Sequence, residues 1–518
     1  MKVIPLILQA LSSLPQHLGA RRKTLARFLV AGFVVMGVGV AVLMPPFRTP
    51  DEFAHWRLAT TRLDRILHPS RNCAPFGDLG TPFLFSEAAR PPHDRFTAIS
   101  KQPPTCASHA YSKMYGGLLT YPGAVASLLL FTSQSSDRAE FIRAFFIGRL
   151  LQGLFVALVM WRMATLMLEK RTVGALVILG FPLAGLALQE SFGITADGVG
   201  FAFALMLCAA MTSLDRFRAR DVTLFAFVGY CTSIAKPFLT PVILPALFAG
   251  FVFMRPSSQS GALWAVIKEF IQLLVPRRRP SLLQVMVWVG CALCAISAIA
   301  TLTDFGSIYM RVDPAVQKAF LLSHPKVFFL DLPKSVLRLI DNLGAFTGPL
   351  GFLDAAVSPQ TVAHFRHLLY ALVGFELILV IPRFLPAPAG ESVDSREVAS
   401  PLSRRSLPVL VAGLLVLVAA LAGFYGVIAS LYLTWTPRGW RVLDGFQTRY
   451  VIPHVLLLLS VLAGCLSAVL PSRDVPVADP DQRGAAAGIA CGTVAAVLVA
   501  TALLYFGGLY FDLQTRYF

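Results

Sequence analysis

The chain has 518 residues, of which 56% are hydrophobic and 14% are charged, and its formal net charge is +17 at pH 7. This composition excludes an ordinary soluble domain, because several apolar runs approach the ~20 residues that a helix needs to cross a bilayer. The basic residues cluster beside these runs, so they indicate membrane topology and argue against binding to nucleic acid.

The N-terminal segment, residues 1–25, precedes the first predicted span, residues 26–44. It contains the basic cluster Arg21-Arg22-Lys23 and has no small-residue cleavage site of the kind that ends a signal peptide. The positive-inside rule therefore predicts a cytoplasmic N-terminus and a first span that exits outward.

A motif rich in proline and acid follows this span. Prolines at 45, 46 and 50 stop the helix, and the step Pro50-Asp51-Glu52 is typical of a new helix start with acid in its first turn. His55 lies four residues after Asp51 and shares its face of that helix. The residues alone allow two interpretations: a catalytic carboxylate at the membrane surface, or an acidic helix start beside a histidine that packs.

The first outer loop, residues 45–113, is the longest polar stretch. It contains Cys73 and Cys106, which either form a disulfide in an oxidising compartment or remain free thiols. The weaker apolar stretch 111–131 either crosses the membrane or enters it without crossing.

The remaining chain predicts a bundle of about 11–12 transmembrane helices. A second outer loop covers residues 303–360, a third covers 434–450, and residues 471–518 form a C-terminal loop and a last span. Lys236-Pro237 divides an overlong apolar block into two short helices that meet at an outer turn, where the lysine is either functional or snorkels from a helix end. The further predicted spans are 144–168, 173–189, 199–214, the two halves of 222–254, 282–302, 362–382, 407–433, 451–470 and 485–508.

This topology places one mixed set of charged residues on the outer side. There a carboxylate can accept a hydroxyl proton as general base, and Arg or Lys can stabilise a departing phosphate. Asp51 and Glu52 are also suitable oxygen ligands for a divalent metal. Taken singly, Asp197, Asp341 and Asp354 are each more typical of an ordinary loop acid than of a functional one. The set is Asp51, Glu52, His55, Asp197, Lys236, Asp341, Asp354 and Arg449.

The order of motifs resembles a bacterial family of membrane proteins, domain-of-unknown-function family 2142. The resemblance covers about residues 26–470. It is carried by the Pro45 to His55 motif, residues 191–197, Lys236-Pro237, residues 348–354 and residues 431–453.

That family is similar to the GT-C membrane glycosyltransferases, and the resemblance implies a GT-C-like helical bundle in a bacterial inner membrane. Such enzymes pass a sugar from a polyprenyl-phosphate donor to a glycan or lipid acceptor of the cell envelope, on the periplasmic or outer side. Asp51 or Glu52 would be the catalytic acid of the family. The substrate-binding residues would be His55, Asp197, Lys236, Gln447, Arg449 and Tyr450.

Three functions remain open from the sequence. The first is this transferase, with or without a divalent metal, since GT-C enzymes differ in that respect. The second is a transporter or flippase of lipid-linked sugars, although no internal repeat is visible in the sequence. The third is a non-catalytic subunit of an assembly complex for envelope polysaccharide.

Overall fold

A computed structural model gives the fold of the protein. It describes residues 3–44, 49, 51–70, 73–74, 107–108, 118–131, 138–169, 172–213, 219–253, 263–275, 281–303, 312–340, 344–348, 356–380, 401–469 and 480–517. The helices are α1 (Val3–Leu43), α2 (Glu52–Leu67), α3 (Pro122–Phe131), α4 (Arg138–Glu169), α5 (Ala175–Gly180), α6 (Gly185–Ser191), α7 (Ala196–Ser213), α8 (Ala219–Ala235), α9 (Thr240–Phe253), α10 (Leu263–Leu274), α11 (Leu282–Thr303), α12 (Pro314–Ser323), α13 (Leu332–Ile340), α14 (Gly344–Thr347), α15 (Pro359–Val380), α16 (Pro401–Thr434), α17 (Ile452–Val469) and α18 (Pro480–Tyr517).

Five helical segments of the described chain are long and apolar enough to cross a membrane: Arg21–Leu43, Ile142–Glu169, Leu407–Thr434, Thr448–Leu466 and Thr493–Thr515. The bent pair α6–α7 gives a sixth if it counts as one span, and four shorter apolar helices of 10–17 residues accompany them. The protein is therefore an all-α multi-pass membrane protein, as predicted. The number of 11–12 crossings and the GT-C-like arrangement stay predictions.

One buried core joins most of these helices. α1 packs against α4 and α18, α7 against α4 and α17, and α9 against α16, while α15 closes the bundle beside α18. Apolar side chains face one another across these contacts, and others remain exposed on the outer surface of the bundle, where a bilayer would cover them.

The predicted break at Lys236 is confirmed. α8 ends at Ala235, and a single 3₁₀ turn, Pro237–Leu239, leads into α9. Proline cannot donate the hydrogen bond that would continue α8, so the apolar block divides at this position.

The predicted span over residues 173–189 differs from the structure. These residues are divided among α5, a 3₁₀ turn containing Pro182, and α6. α6 then meets α7 at an angle of 105°. Pro182 explains the interruption, because it removes a backbone donor inside the apolar run.

Residues 192–195 connect α6 to α7 and form a sharp bend, here called the elbow, which Phe192 fills. Its ring is buried and lies so close to α1 and α4 that a Cβ at Gly37 would come within 1.8 Å of it, and one at Gly153 within 2.1 Å. The two glycines therefore let α1 and α4 approach the elbow closely. The acidic residues Glu190 and Asp197 lie on either side of the elbow.

The first loop is described in part. Within the described chain, the only two strands are β1 (Cys73–Ala74) and β2 (Ala107–Ser108), which pair antiparallel with Cys73 opposite Ser108. This pairing brings the chain at Cys73 near the residues that follow Cys106. Cys106 and the side chain of Cys73 lie outside the described residues, so the disulfide stays a prediction.

A buried ion pair fastens the end of the bundle opposite Asp51. Arg22 in α1 donates to both carboxylate oxygens of Glu376 in α15, each at 2.8 Å. The same carboxylate accepts the backbone N–H groups of Gly174 and Leu176 at 3.0 Å. Three parts of the bundle are joined there, away from the candidate site.

Candidate functional site

Asp51 immediately precedes α2, as the proline and acid pattern predicts. It has φ 61° and ψ 2°, and among the described residues it is the only non-glycine with positive φ. Aspartate tolerates this left-handed conformation better than most residues, yet such geometry is held in place by its surroundings. Its side chain is 54% exposed, which leaves the carboxylate accessible at the end of the first span.

Arg449 gathers three carboxylates from separate elements. It lies in a 3₁₀ turn, Thr448–Tyr450, and its side chain is only 1% exposed. Its guanidinium nitrogens lie 2.5 Å from Asp51 Oδ2, 2.6 Å from Glu190 Oε1 and 3.1 Å from Asp197 Oδ2. A planar guanidinium with five donors suits this role, because it can face several carboxylates at once.

The elbow between α6 and α7 supplies two of these acids. Glu190 is near the end of α6 and Asp197 is in the first turn of α7. The Thr195 hydroxyl donates to the Glu190 carbonyl at 3.0 Å and accepts the Gly198 N–H at 3.2 Å. A Cβ at Gly198 would lie 2.2 Å from the Glu190 carbonyl, so glycine is required for this close turn.

Lys236 reaches the same cluster from the break between α8 and α9. Its ammonium forms an ion pair with Asp197 and lies 5.4 Å from the centre of the Tyr450 ring. The Arg449 guanidinium is 5.2 Å from the same ring centre and donates to the Tyr450 hydroxyl at 3.3 Å. Tyr450 therefore contacts both cations of the site, through its π face and through its hydroxyl.

Gln447 stands directly before the turn that carries Arg449. Its carbonyl accepts the Tyr450 N–H at 3.1 Å, which closes the turn. Its side-chain Oε1 is buried without a hydrogen-bond partner among the described residues. Its role in substrate binding stays a prediction.

The cluster contains three carboxylates and two cationic side chains. Asp51, Glu190 and Asp197 face the two cations Lys236 and Arg449. Burial, together with the two cations, lowers the pKa of the nearby His55 to about 3, so this imidazole is neutral at pH 7.

The charge of Asp51 is maintained in this setting. Burial opposes ionisation, but the charges of Arg449 and Lys236 and the hydrogen bond from Arg449 outweigh it and hold the pKa of Asp51 below its ordinary value. Asp51 is therefore a carboxylate at neutral pH and can only accept hydrogen bonds.

Glu52 occupies a different environment from its neighbour. It is fully buried, and Arg149 of α4 contacts both of its oxygens, at 2.8 Å and 2.5 Å. The Ile194 N–H also donates to Glu52 at 3.0 Å, and Arg149 donates onward to the Met44 carbonyl at 2.6 Å. Glu52 thus joins the start of α2 to α1, to α4 and to the elbow.

His55 lies one turn after Asp51 and is buried. Its Nδ1 is 2.9 Å from the hydroxyl of Tyr121, which is also buried at the start of α3. Burial raises the pKa of Tyr121, so the phenol keeps its proton. With a neutral imidazole beside it, the pair is a hydrogen bond without net charge, and His55 orients α2 against α3.

Several predicted elements lie outside the described residues. These are residues 45–48, Pro50, Asp341 and residues 349–354, which include Asp354. In the part of the chain that is described, no three His, Cys, Asp or Glu side chains are placed to hold a metal ion. The predicted divalent metal, with Asp51 and Glu52 as ligands, remains untested.

The sequence predicts that Asp51, Asp197, Lys236 and Arg449 lie on the same side of the membrane, and the structure places them in one cluster. It did not identify Glu190 and Arg149. The sequence nevertheless contains a signal for each of these two residues. Arg149 lies within the predicted span 144–168 and Glu190 directly follows 173–189, and ionisable residues at membrane depth are functional candidates by default.

Comparison of the chain with models of known protein families, with curated proteins and with solved structures finds no match.

Proposed function

We propose that the protein is a membrane glycosyltransferase of the inner bacterial membrane. It transfers a sugar from a polyprenyl-phosphate donor to a cell-envelope glycan or lipid on the outer side. The observation that carries this proposal is Asp51, an accessible and ionised carboxylate next to the first span, held by a buried arginine. Such a carboxylate is suited to accept the proton of an acceptor hydroxyl.

The proposed reaction is a single displacement. Asp51 takes the proton of the acceptor hydroxyl as its oxygen forms a bond to the anomeric carbon. The bond between that carbon and the phosphate oxygen breaks, and polyprenyl phosphate leaves with the bonding electrons. The anomeric configuration is inverted, because attack and departure occur on opposite faces.

The two cations receive different roles in this proposal. Arg449 is surrounded by three carboxylates, so a phosphate would have to compete with them for its donors. We assign Arg449 to positioning Asp51, and Lys236 to the phosphate. Lys236 has three donors, while one carboxylate, Asp197, forms its ion pair.

A second candidate rests on the bent helix pair. The 105° break between α6 and α7 is flanked by Glu190 and Asp197, and interrupted helices with charged residues at the break are typical of secondary transporters. This observation favours a transporter of lipid-linked sugars as the alternative.

One proteoliposome experiment distinguishes the transferase, the transporter and the non-catalytic subunit. Purified protein in proteoliposomes is given radiolabelled polyprenyl-phosphate sugars and envelope acceptors, with Mg²⁺ or with chelator. Transfer by the protein alone supports the transferase, and the chelator shows whether a metal is needed. Movement of donor across the bilayer without transfer would support the transporter. Activity that needs other assembly proteins would indicate a non-catalytic subunit.

A further inference from the structure

A basic segment, residues 312–340, packs against the end of α16 that leads to Arg449. It consists of α12, a π-helical turn (Val327–Asp331) and α13. The Gln317 amide donates to the carbonyls of Tyr432 and Thr436, and the Leu443 N–H donates to the Ser335 hydroxyl at 3.3 Å. These bonds place the segment on the membrane side that carries the site.

The middle of this segment packs against the membrane-spanning part of α16. The Tyr425 hydroxyl donates to the Phe329 carbonyl at 3.2 Å, and the Tyr425 ring contacts those of Phe328 and Phe329. Tyr425 precedes the end of the candidate span by nine residues, or about 13 Å of helix. Phe329 and Leu330 are nevertheless 58% and 59% exposed. Large apolar side chains exposed at this depth beside a span are suited to lipid acyl chains.

Exposed cations precede and follow these apolar residues in the chain. Lys326, Lys334 and Arg338 belong to the segment itself, and Arg438 and Arg441 lie on the adjoining loop. With Lys318 there are six Lys and Arg residues against three Asp in the described stretches 312–340 and 434–447. Apolar side chains with flanking Lys and Arg are typical of elements that lie at a membrane interface, and the excess charge favours anionic lipid.

We propose that the basic segment is embedded in the lipid leaflet on the site side. Phe329 and Leu330 lie among acyl chains, and Lys326, Lys334 and Arg338 bind the phosphates of anionic phospholipids. The partner is thus a lipid surface with phosphatidylglycerol-type headgroups. This inference does not depend on the proposed transferase activity.

The segment is also joined to the site. The loop bonded to Ser335 continues into the turn that holds Arg449, and the Thr448 hydroxyl donates to the Ala345 carbonyl at 2.5 Å. Anionic lipid bound here would therefore stabilise the part of the chain that carries Arg449.

The test uses Leu330→Trp as a local reporter in the full chain. The protein is placed in nanodiscs of equimolar phosphatidylcholine and phosphatidylglycerol, with bromine on the acyl chains of either one lipid or the other. The extra emission of the Leu330→Trp protein over the wild type is then measured. We expect quenching by both lipids, and stronger quenching when phosphatidylglycerol carries the bromine.

The charges are tested in the same reporter background. Lys326→Gln with Lys334→Gln should reduce the preference for phosphatidylglycerol, as should high salt. Arg21→Gln with Lys23→Gln removes two exposed charges at the end of the span Arg21–Leu43 that lies away from the site, and should leave the preference unchanged. Absence of quenching by either lipid would overturn the proposal, because Leu330 would then face water or protein. Equal quenching by both lipids would overturn the role of the cations.

Discussion

At the scale of single residues, the environment of each acid determines what it can do. Asp51 and Glu52 are neighbours in the chain, yet Asp51 is 54% exposed while Glu52 is completely buried against Arg149. The left-handed backbone at Asp51 turns the two side chains to different surroundings. This difference is why we assign the general base to Asp51 and not to Glu52.

His55 predicts a pH dependence of stability. Its pKa in the folded protein is about 3, below the ordinary value of 6.5, so the unfolded chain binds more protons between these two values. Stability should therefore fall as the pH is lowered from 6.5, by up to about 1.4 kcal/mol per pH unit from this group. Melting curves of wild type and His55→Asn across this range would check it, and the slope should be shallower in the variant.

The sequence did not identify Glu190 and Arg149 as site residues, because it does not show contacts between residues that are distant in the chain. The motif Pro50-Asp51-Glu52 identified a helix start from local chemistry, and Lys236-Pro237 identified a break for the same reason. The contacts of Glu190 and Arg149 join residues far apart in the chain, 259 and 97 positions respectively, so spacing alone does not reveal them.

At the scale of elements, the Glu52–Arg149 pair fixes the start of α2 against α1, α4 and the elbow. Arg149→Met should destabilise the protein by about 3–5 kcal/mol, because it leaves a buried carboxylate without its partner. The double variant Glu52→Gln with Arg149→Met should recover part of this loss, as measured by thermal unfolding in detergent. If the double variant were no more stable than Arg149→Met, the carboxylate would not be the source of the cost.

The elbow provides a second prediction for packing. Gly153→Ala should destabilise by about 1–3 kcal/mol, because the new methyl group meets the buried Phe192 ring. Gly374→Ala in α15 is the matched control, since a Cβ there has no neighbour within 4 Å. Alanine should be neutral or slightly stabilising at 374, where only its helix propensity acts. Equal melting temperatures of the two variants would contradict the packing described for the elbow.

At the scale of the whole molecule, α1 connects two buried ion clusters. Arg22, at the start of the candidate span Arg21–Leu43, pairs with Glu376, and Asp51 follows the end of α1 and joins the Arg449 cluster. The apolar helices between them provide the membrane-spanning body, which composition alone predicted. The division of residues 173–191 into short helices was not predicted, because an apolar run shows its length but not how neighbouring helices bend it.

The most direct test of the central claim is sugar transfer by Asp51→Asn beside the wild type. The control is Asp313→Asn, which changes an exposed acid that caps α12 and keeps a side chain able to cap. Loss of a general base lowers rates by about 10²–10⁴-fold, so Asp51→Asn should lose transfer by that factor while its melting profile and donor binding persist. Asp313→Asn should transfer like the wild type. Transfer by Asp51→Asn at the wild-type rate would contradict the account.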